Sequence, residues 1–375
     1  MATLFQFPYR TVAEISLSTL VKNLVTLRAM SQCEVIPVVK ANAYGHGVVP
    51  IAKALIGRGS CRMLSVATLE EAMELRQKVG KSVSILVLSG FFPHQVEAYV
   101  RDNLVPVIHS LNHLKQLSGV EELPDIHLKL DTGMNRLGIA LDEINESIRL
   151  LEKLGVKLSG IMSHFAESEK QSSSFSDIQL KKFEGAVQEF RSHRLLKTDA
   201  RIHIANTGGV LRNQLGASNA IRPGIGLYGI SPNPDLGNSR MLTPILSWRT
   251  RVLSIRTLGK GDTVGYGRTY KVKRRPERIA LVPVGYADGY PRLLGNQGEM
   301  LGASKRLKVR GRVSMDLTAI DVTNVPSIKE GSTITIVGNF AKLSVNAWDL
   351  AKWSDTIPYE IFCGISLRVP RVYLE

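Results

Sequence analysis

One lysine stands at the end of an apolar run of strand length. Residues 35–39 lead directly to Lys40, and residues 41–47 follow as a small-residue, glycine-rich turn before a helical pattern begins at Val48. A buried strand desolvates the ammonium group at its end, lowers its pKa and makes the amine available as a nucleophile, as Schiff-base formation requires. Lys40 is therefore a candidate for covalent chemistry, although Val-Val-Lys alone more often marks a solvated strand end.

Other polar residues fall at the predicted ends of apolar runs. They are Lys129, Asp131, His164, Asn206 and Arg222. Taken singly, each fits an ordinary polar residue, and a lone histidine is more often structural than catalytic. The carboxyl ends of the strands of a parallel barrel meet on one rim, so we expect these side chains and Lys40 to surround one pocket.

The elements that would position these residues alternate between strand and helix patterns. Apolar residues recur at helical spacing from Leu17 to Leu27, before the Lys40 run. Strands are predicted at residues 35–40, 62–67, 83–88, 104–109, 126–131, 158–164, 202–206 and 220–227. Eight strands that alternate with helical stretches predict an α/β fold whose N-terminal part is a (β/α)8 TIM-like barrel.

The pattern changes after the eighth predicted strand. Residues 231–239 are turn-rich and have the composition of a linker. The β-rich runs at 245–255, 279–284, 307–321 and 333–337 then follow without long helices, except for a predicted helix near 345–352. With 375 residues available, we predict a barrel domain at 1–235 and a mainly β C-terminal domain at 236–375.

Composition narrows the function classes. Cys33, Cys61 and Cys363 are three in number and far apart, which argues for a reducing compartment, against a disulfide framework and against a metal site among them. Residues 1–10 lack a leader pattern and no apolar run reaches membrane-spanning length, so we expect a soluble, cytoplasmic protein. The net charge of +15 is spread over the chain apart from residues 271–275, so we predict no nucleic-acid partner and no membrane partner.

Two glycine-containing loops are candidates for phosphate binding. Residues 205–209 follow the seventh predicted strand and residues 222–226 lie at the eighth. Barrels commonly bind phosphate between these two loops through backbone amides. Either loop alone could be a tight turn.

A series of segments resembles motifs of the bacterial alanine racemases, which are fold-type III enzymes dependent on pyridoxal 5′-phosphate (PLP). The matching segments occur in the family's order at residues 38–47, 129–138, 163–166, 205–209, 222–226, 264–270, 284–290 and 311–316. Motifs in this order through both predicted domains are far more specific than any one of them.

The resemblance implies how the cofactor is held. Lys40 would carry PLP covalently, and Tyr44 would contact its phosphate. The other phosphate-binding residues implied are Asn206, Thr207, Gly224 and Ile225. Arg222 would face the pyridine nitrogen, where a permanent cation disfavours ring protonation and so favours simple proton exchange at Cα.

The resemblance also implies a two-base reaction, because racemisation requires an acid/base on each side of Cα. Lys40 would serve one face, and Tyr266 of the partner in a head-to-tail homodimer, coupled to His164, would serve the other. Arg136 would assist the substrate carboxylate and the cofactor phenolic oxygen, and Lys129 is the lysine that some members carry as a carbamate. The remaining assignments are the amide of Met315 at the carboxylate of substrate bound in the other subunit, and Tyr286 and Arg292 along the substrate entry.

One position departs from the family pattern. Leu367 stands where the family usually has a tyrosine that contacts the phosphate and narrows the entrance. The implied function is an isomerase that interconverts L- and D-alanine and supplies D-alanine for peptidoglycan. The alternatives are a racemase of broader specificity, favoured by Leu367, a fold-type III decarboxylase, and a non-catalytic PLP-carrying barrel, which would lack the β domain.

Overall fold

The computed structural model describes residues 8–90, 92–118, 120, 123–273 and 275–375. Most of the N-terminal segment considered above, residues 1–7, and Arg274 of the basic run at 271–275 lie outside the described residues. The chain divides into two compact units. One comprises Thr19–Ala43 and Val48–Thr243, and the other comprises Met1–Ser18, Tyr44–Gly47 and Pro244–Glu375.

Parallel strands form the centre of the first unit. Within the described residues they are β2 (Glu34–Val35), β3 (Met63–Val66), β4 (Ser84–Val87), β5 (Leu104–Ile108), β6 (His127–Lys129), β7 (Leu158–Met162), β8 (Leu196–His203) and β9 (Ala220–Ile221). Strands β3 to β8 pair in chain order, and β2 pairs with β9. A parallel bridge from Val38 to Ser65 joins β2 to β3, and the amide of Asn219 donates to the carbonyl of Ile202 beside β9. These contacts close the ring, and the predicted barrel is confirmed.

Helices follow these strands along the chain. Their bounds are α1 (Leu17–Ser31), α2 (Lys40–Tyr44), α3 (Val48–Gly57), α4 (Leu69–Val79), α5 (Val96–Arg101), α6 (Leu111–Gln116), α7 (Ile144–Leu154), α8 (Ser174–Ser192) and α9 (Thr207–Leu211). Local sequence explains several ends. The Thr68 and Ser173 side chains accept amide hydrogen bonds at the starts of α4 and α8, and Gly155 ends α7 at φ 64°.

Apolar side chains fill the barrel interior. Ile36, Met63, Leu86, Val107 and Met162 belong to one buried cluster contributed by five strand segments. Such filling makes the interior a packed core and leaves the strand ends to carry function. Two predicted strands are shorter than expected, because Pro37 and Pro223 have no amide hydrogen to donate and interrupt the regular ladder after Val35 and after Ile221. The two segments remain paired beyond that point, since the amides of Ile36 and Val38 donate to the carbonyls of Ile221 and Pro223.

The second unit is mainly β. Its strands are β1 (Thr11–Ser16), β10 (Leu246–Arg251), β11 (Ser254–Leu258), β12 (Thr263–Val264), β13 (Tyr270–Lys271), β14 (Glu277–Val282), β15 (Glu299–Gly302), β16 (Lys305–Lys308), β17 (Thr318–Asp321), β18 (Thr333–Phe340), β19 (Leu343–Val345) and β20 (Arg371–Leu374). The main sheet has the order β16-β15-β18-β10-β1-β20, and β11-β14-β17 form a second sheet. The predicted mainly β part after the barrel is confirmed.

Three features of this unit were not predicted. Strand β1 precedes the barrel in sequence yet pairs with β10, with Ala13 opposite Trp248. The apolar run at 307–321 is divided into β16 and β17 by a loop at 309–317. A second helix, α11 (Pro358–Gly364), follows α10 (Ala347–Trp353).

Short 3₁₀ turns connect several of these elements. They are Pro93–Gln95, Leu141–Glu143, Ser239–Met241, Tyr266–Arg268, Tyr286–Asp288 and Arg292–Leu294. None of the described helices has the length and apolar character needed to cross a bilayer.

Candidate active site

Lys40 opens a left-handed helical turn. Ala41, Asn42 and Ala43 have φ/ψ near 51°/52°, 52°/47° and 54°/51°, and Tyr44 follows at φ 52°. This conformation costs roughly 1–2 kcal/mol per non-glycine residue, because Cβ approaches the following carbonyl oxygen. Strained backbone of this kind persists only where surrounding contacts hold it, and it is concentrated at functional sites.

Side chains from α4 and from the turn itself supply those contacts. The Glu71 carboxylate accepts from the amides of Ala41 and Ala67, each at 2.7 Å. The Asn42 side chain accepts from the amide of Val48 at 2.8 Å, and the amide of Ala43 donates to the carbonyl of Val39 at 2.9 Å. The turn is therefore held from both sides, and it fixes the backbone from which the Lys40 side chain extends.

Four cationic side chains from different segments of the barrel, Lys40, Lys129, Arg136 and Arg222, lie within electrostatic reach of one another. Burial, together with the charges of Arg222, Arg136 and Lys40 and against that of Asp131, lowers the pKa of Lys129 to about 8. Lys129 is buried, and its side-chain nitrogen makes no hydrogen bond with the described residues. This end of the barrel is consequently electropositive and suited to anionic ligands.

The loop after β6 is shaped so that Arg136 reaches this cluster. The Asp131 carboxylate accepts from the amides of Gly133 (2.8 Å) and Asn135 (3.1 Å), and the amide of Asp131 donates to the carbonyl of Ile139 (2.9 Å). Gly138 lies at φ 138°, where a Cβ would approach the Asp131 amide nitrogen to 2.6 Å. The loop thus doubles back on itself, with exposed Arg136 on it.

The buried guanidinium of Arg222 is anchored through both terminal nitrogens. Nη1 donates to the carbonyl of His203 (2.8 Å) and contacts Nδ1 of the same residue (2.5 Å). Nη2 donates to the carbonyl of Ser163 (2.7 Å) and lies 3.2 Å from Nδ1 of His164. Burial lowers the pKa of Arg222 to about 9, so it remains a cation at neutral pH. Its Nε makes no hydrogen bond within the described chain and is available to a ligand.

His164 lies beside this arginine at the end of β7. Burial lowers its pKa well below the usual value, and Arg222 is the first of the nearby cations that add to this effect. The backbone is fixed by Gln179, whose side-chain amide donates to the carbonyl of His164 at 3.0 Å. The imidazole is therefore neutral near pH 7 and can accept one hydrogen bond and donate one.

The two predicted phosphate loops meet at Thr207. Its buried hydroxyl oxygen accepts from the amides of Gly224 (3.3 Å) and Gly226 (3.1 Å). The Asn206 side chain caps α9 by accepting from the amide of Gly209 at 3.1 Å. The amide of buried Ile225 finds no hydrogen-bond acceptor among the described residues. The contacting loops present the Thr207 hydroxyl proton and this amide as donors.

Tyr44, the last residue of the left-handed turn, is grouped with the second unit. Its ring packs against that of Tyr359 with centroids 5.8 Å apart, and burial raises the pKa of its phenol. The following Gly45 carbonyl accepts from Arg371 Nε at 3.0 Å and from Nη2 at 2.9 Å. Tyr44 is thus a neutral hydroxyl fixed by C-terminal residues.

In the second unit, four loops form what we call the C-terminal loop cluster: residues 265–268, 285–288, 311–316 and 365–368. The amides of Tyr286 and Ala287 donate to the carbonyls of Ser314 (3.1 Å) and Met315 (3.0 Å). The amide of Ser366 donates to the carbonyl of Asp288 (3.1 Å). A Cβ on Gly267 would lie 3.0 Å from Arg312 Nη1, which places the Tyr266 turn beside the same loops.

The cluster exposes large side chains. Tyr266 is 71% exposed, Leu367 is 86% exposed, and Tyr286 and Met315 are also exposed. Arg292, in the 3₁₀ turn that follows, is exposed as well. Large exposed side chains on neighbouring loops are typical of surfaces that bind a partner or a ligand.

Comparison with known proteins now identifies the family. The family profile described as "Alanine racemase, N-terminal domain" matches residues 15–232, and "Alanine racemase, C-terminal domain" matches residues 245–373. The chain belongs to the alanine racemase family.

Individual members of the family are similar over nearly the whole chain. The alanine racemase of Halothermothrix orenii is 39% identical over 373 residues, covering 97% of this chain and 96% of that protein. The crystal structure of the alanine racemase from Streptomyces lavendulae has a TM-score of 0.89 at 30% identity and covers 99% of this chain and 98% of its own. That of Bartonella henselae, which contains covalently bound pyridoxal phosphate, has a TM-score of 0.88 at 29% identity, with coverage of 98% and 100%.

The structure of this alanine racemase family member also contains site-adjacent residues that sequence reasoning missed. His127 in β6 and His203 in β8 are fully buried, and His203 contacts Arg222 directly. The signal in the sequence was that each histidine lies inside an apolar strand: His127 between Ile126 and Leu128, and His203 between Ile202 and Ile204. A lone buried histidine carries little information by itself, and only the fold shows that these two meet.

Proposed function

We propose that this protein is a PLP-dependent racemase that interconverts L- and D-alanine. The observation that carries the proposal is the group of Lys40, Lys129, Arg136, His164 and Arg222 at one end of the barrel, in a chain of the alanine racemase family. Lys40 is the proposed point of covalent attachment, since an amine nucleophile on a rigid turn is what Schiff-base chemistry requires.

The residues present fit PLP. Arg222 has a free Nε for a ring-nitrogen acceptor, and Thr207 and Ile225 have free donors for a phosphate. Tyr44, Asn206 and Gly224 complete the proposed phosphate-binding set. Bound PLP would supply an electron-withdrawing ring that acidifies the substrate Cα–H bond. Arg222, a permanent cation, cannot accept a proton from that ring and disfavours ring protonation, which limits side reactions.

Proton transfer is assigned to two side chains. Lys40 would remove or return the proton on one face of Cα, and Tyr266 of the partner subunit would act on the other, with His164 as its hydrogen-bond partner. Arg136 and the Met315 amide of the partner subunit would hold the substrate carboxylate, and Tyr286 and Arg292 would line its entry. The barrel domain proposed at 1–235 would thus bind the cofactor, and the C-terminal domain proposed at 236–375 would contribute the second base to the partner subunit.

Lys129 is proposed to carry a carbamate. A buried amine surrounded by three cations and lacking a hydrogen-bond acceptor is destabilised when protonated, whereas an anionic carbamate would attract Arg136. Protein loaded with ¹³C-labelled carbon dioxide should show one carbamate resonance that disappears in Lys129→Gln. A wild-type spectrum without that resonance would exclude the modification.

The exposed C-terminal loop cluster supports a homodimer with shared sites. Mixing Lys40→Ala with Tyr266→Phe tests this directly. If Tyr266 acts in trans, each heterodimer contains one intact site, and random exchange should restore about one quarter of wild-type activity. If Tyr266 acts in cis, no intact site forms and no activity returns.

The decisive experiment combines spectroscopy with turnover. The purified protein should show a visible absorbance band that borohydride abolishes while fixing the cofactor to the peptide containing Lys40. It should also form D-alanine from L-alanine. A trapped cofactor without turnover on any amino acid would favour the non-catalytic carrier, and the absence of binding after added PLP would reject the proposal.

Leu367 supports one alternative, a racemase of broader specificity, because the exposed leucine replaces the hydroxyl usual at this position. Comparable rates on alanine, serine and larger amino acids would favour that alternative. A decarboxylase is disfavoured by Arg222 and Tyr266, and release of carbon dioxide from an amino acid would be needed to revive it. A cytoplasmic location and D-alanine supply for peptidoglycan belong to the proposed racemase function.

A further inference from the structure

Two buried histidines meet inside the barrel. Nδ1 of His127 lies 3.0 Å from Nε2 of His203, and both residues are fully buried. They come from β6 and β8, which lie on either side of β7, and side chains of alternate strands share a layer in the barrel interior. The contact therefore joins residues 76 positions apart in sequence.

The hydrogen bonds of Arg222 determine the tautomers of His203 and His127. A guanidinium only donates, so Nδ1 of His203, 2.5 Å from Nη1, must accept. Burial and the cations Arg222 and Arg201 lower the pKa values of both imidazoles, that of His127 to about 3, so each carries a single proton near pH 7. The proton of His203 is then on Nε2 and is donated to Nδ1 of His127.

The Nε2 atom of His127, on the side of the ring away from His203, lies in an unfavourable environment. Its Nε2 is buried and has no hydrogen-bond partner in the described part of the chain. A Cβ on Gly160 would lie 2.5 Å from this atom, so the glycine makes room for the ring. An unpaired buried N–H is unfavourable, and an apolar ring would avoid it. The useful feature of His127 is consequently its Nδ1 lone pair.

We propose that His127 is a positioning residue of the active site, acting through His203 on Arg222. By accepting the His203 proton at Nε2, His127 keeps Nδ1 of His203 free to accept from Arg222. The other acceptors around the guanidinium are the carbonyls of His203 and Ser163 and Nδ1 of His164. Together they leave Nε for the cofactor, and this last step rests on the proposed function.

Removing the lone pair changes the preferred tautomer of His203. In His127→Phe the Nε2 proton has no acceptor, so the tautomer protonated at Nδ1 becomes competitive. That tautomer directs a proton at Nη1 of Arg222, and the guanidinium must move. In His127→Asn the amide oxygen can replace Nδ1, because the two atoms occupy similar positions relative to Cβ.

The tautomers can be measured independently of catalysis. With ¹⁵N-labelled histidine, we expect His127 and His203 to be protonated at Nε2 and not to titrate through the neutral range. His203 should change tautomer in His127→Phe and keep it in His127→Asn. An unchanged His203 tautomer in His127→Phe would overturn the proposal, whether or not the protein is a racemase.

The active enzyme provides the second readout. His127→Phe should lower kcat about tenfold or more, with little change in KM, and shift the absorbance of bound PLP. His127→Asn should recover most of kcat. Thermal stability should change little in His127→Phe, since the variant removes the unpaired N–H of His127 but leaves the Nε2–H of His203 without its acceptor. His113→Phe is the control and should leave both readouts unchanged, since the His113 ring contacts that of His109 at a centroid distance of 4.4 Å and not that of His203.

The possible outcomes separate the claims. A loss of kcat that His127→Asn does not restore, accompanied by lower thermal stability, would make His127 a packing residue. A tautomer change without effect on kcat or absorbance would show that Arg222 does not need this contact. If the wild type neither binds PLP nor racemises alanine, the proposed function fails while the tautomer result still tests the network.

Discussion

Replacing Tyr266 by phenylalanine should separate catalysis from folding. The side chain is 71% exposed, and its hydroxyl makes no hydrogen bond with the described residues. Loss of that oxygen should change the free energy of unfolding by less than about 0.5 kcal/mol. A general acid/base contributes about 10²–10⁴-fold to the rate, which corresponds to about 3–5 kcal/mol of activation free energy.

The assay follows the α-hydrogen of each enantiomer in deuterated water. The two enantiomers have equal free energy, so racemisation must slow by the same factor in both directions. Hydrogen exchange need not be symmetric. The enantiomer whose α-hydrogen faces Lys40 should still exchange without inversion, while the other should stop exchanging. The absorbance of bound cofactor should be retained, and Tyr9→Phe, another exposed tyrosine, is the matched control.

Two results would refute this reasoning. Loss of exchange from both enantiomers, together with loss of bound cofactor, would show that Tyr266 is structural. Undiminished exchange from both would mean that the second base is another residue.

Three further perturbations test separate parts of the structure. In buffer free of carbon dioxide, unmodified Lys129 has its pKa lowered from 10.5 to about 8 in the folded state, so the unfolded state binds the proton more tightly between these values. The free energy of unfolding should therefore rise with pH across this window by about 3 kcal/mol relative to Lys129→Met, measured by urea titration; a flat difference would contradict the assigned burial. Ala41→Gly in the left-handed turn should raise the free energy of unfolding by about 0.5–1 kcal/mol, whereas Ala29→Gly in the right-handed helix α1 should lower it by about as much. If the denaturant midpoints of both variants shift in the same direction, the left-handed conformation at Ala41 is contradicted. Leu367→Tyr should leave stability unchanged and tighten PLP binding and alanine selectivity; equal affinity and selectivity would show that this position does not contact the site.

Much of the barrel and its rim was predictable because the evidence is local. Apolar runs of strand length, their alternation with helical patterns and the polar residues at their ends are properties of short windows. Val48 begins α3 as its pattern predicted, and Lys129, His164 and Arg222 end up near one another because barrel topology brings strand ends together.

Conformations that depend on distant residues were not predictable in this way. The turn from Lys40 to Tyr44 is left-handed without a glycine, and its local sequence gives no sign of this. The carboxylate of Glu71, thirty positions away, supplies one of the contacts that hold it. Similarly, β1 resembles a strand that could have joined the barrel, but pairing with β10 places it in the other unit.

The sequence by itself therefore determined the elements, the chemical types at their ends and the family resemblance, since these depend on residue identity and spacing. The tertiary structure alone decided which histidine nitrogens face each other and Arg222, which nitrogen of Arg222 is free and how the backbone at Lys40 is strained. Each of these depends on hydrogen-bond partners far apart in the chain, and proximity of that kind arises only when the barrel closes.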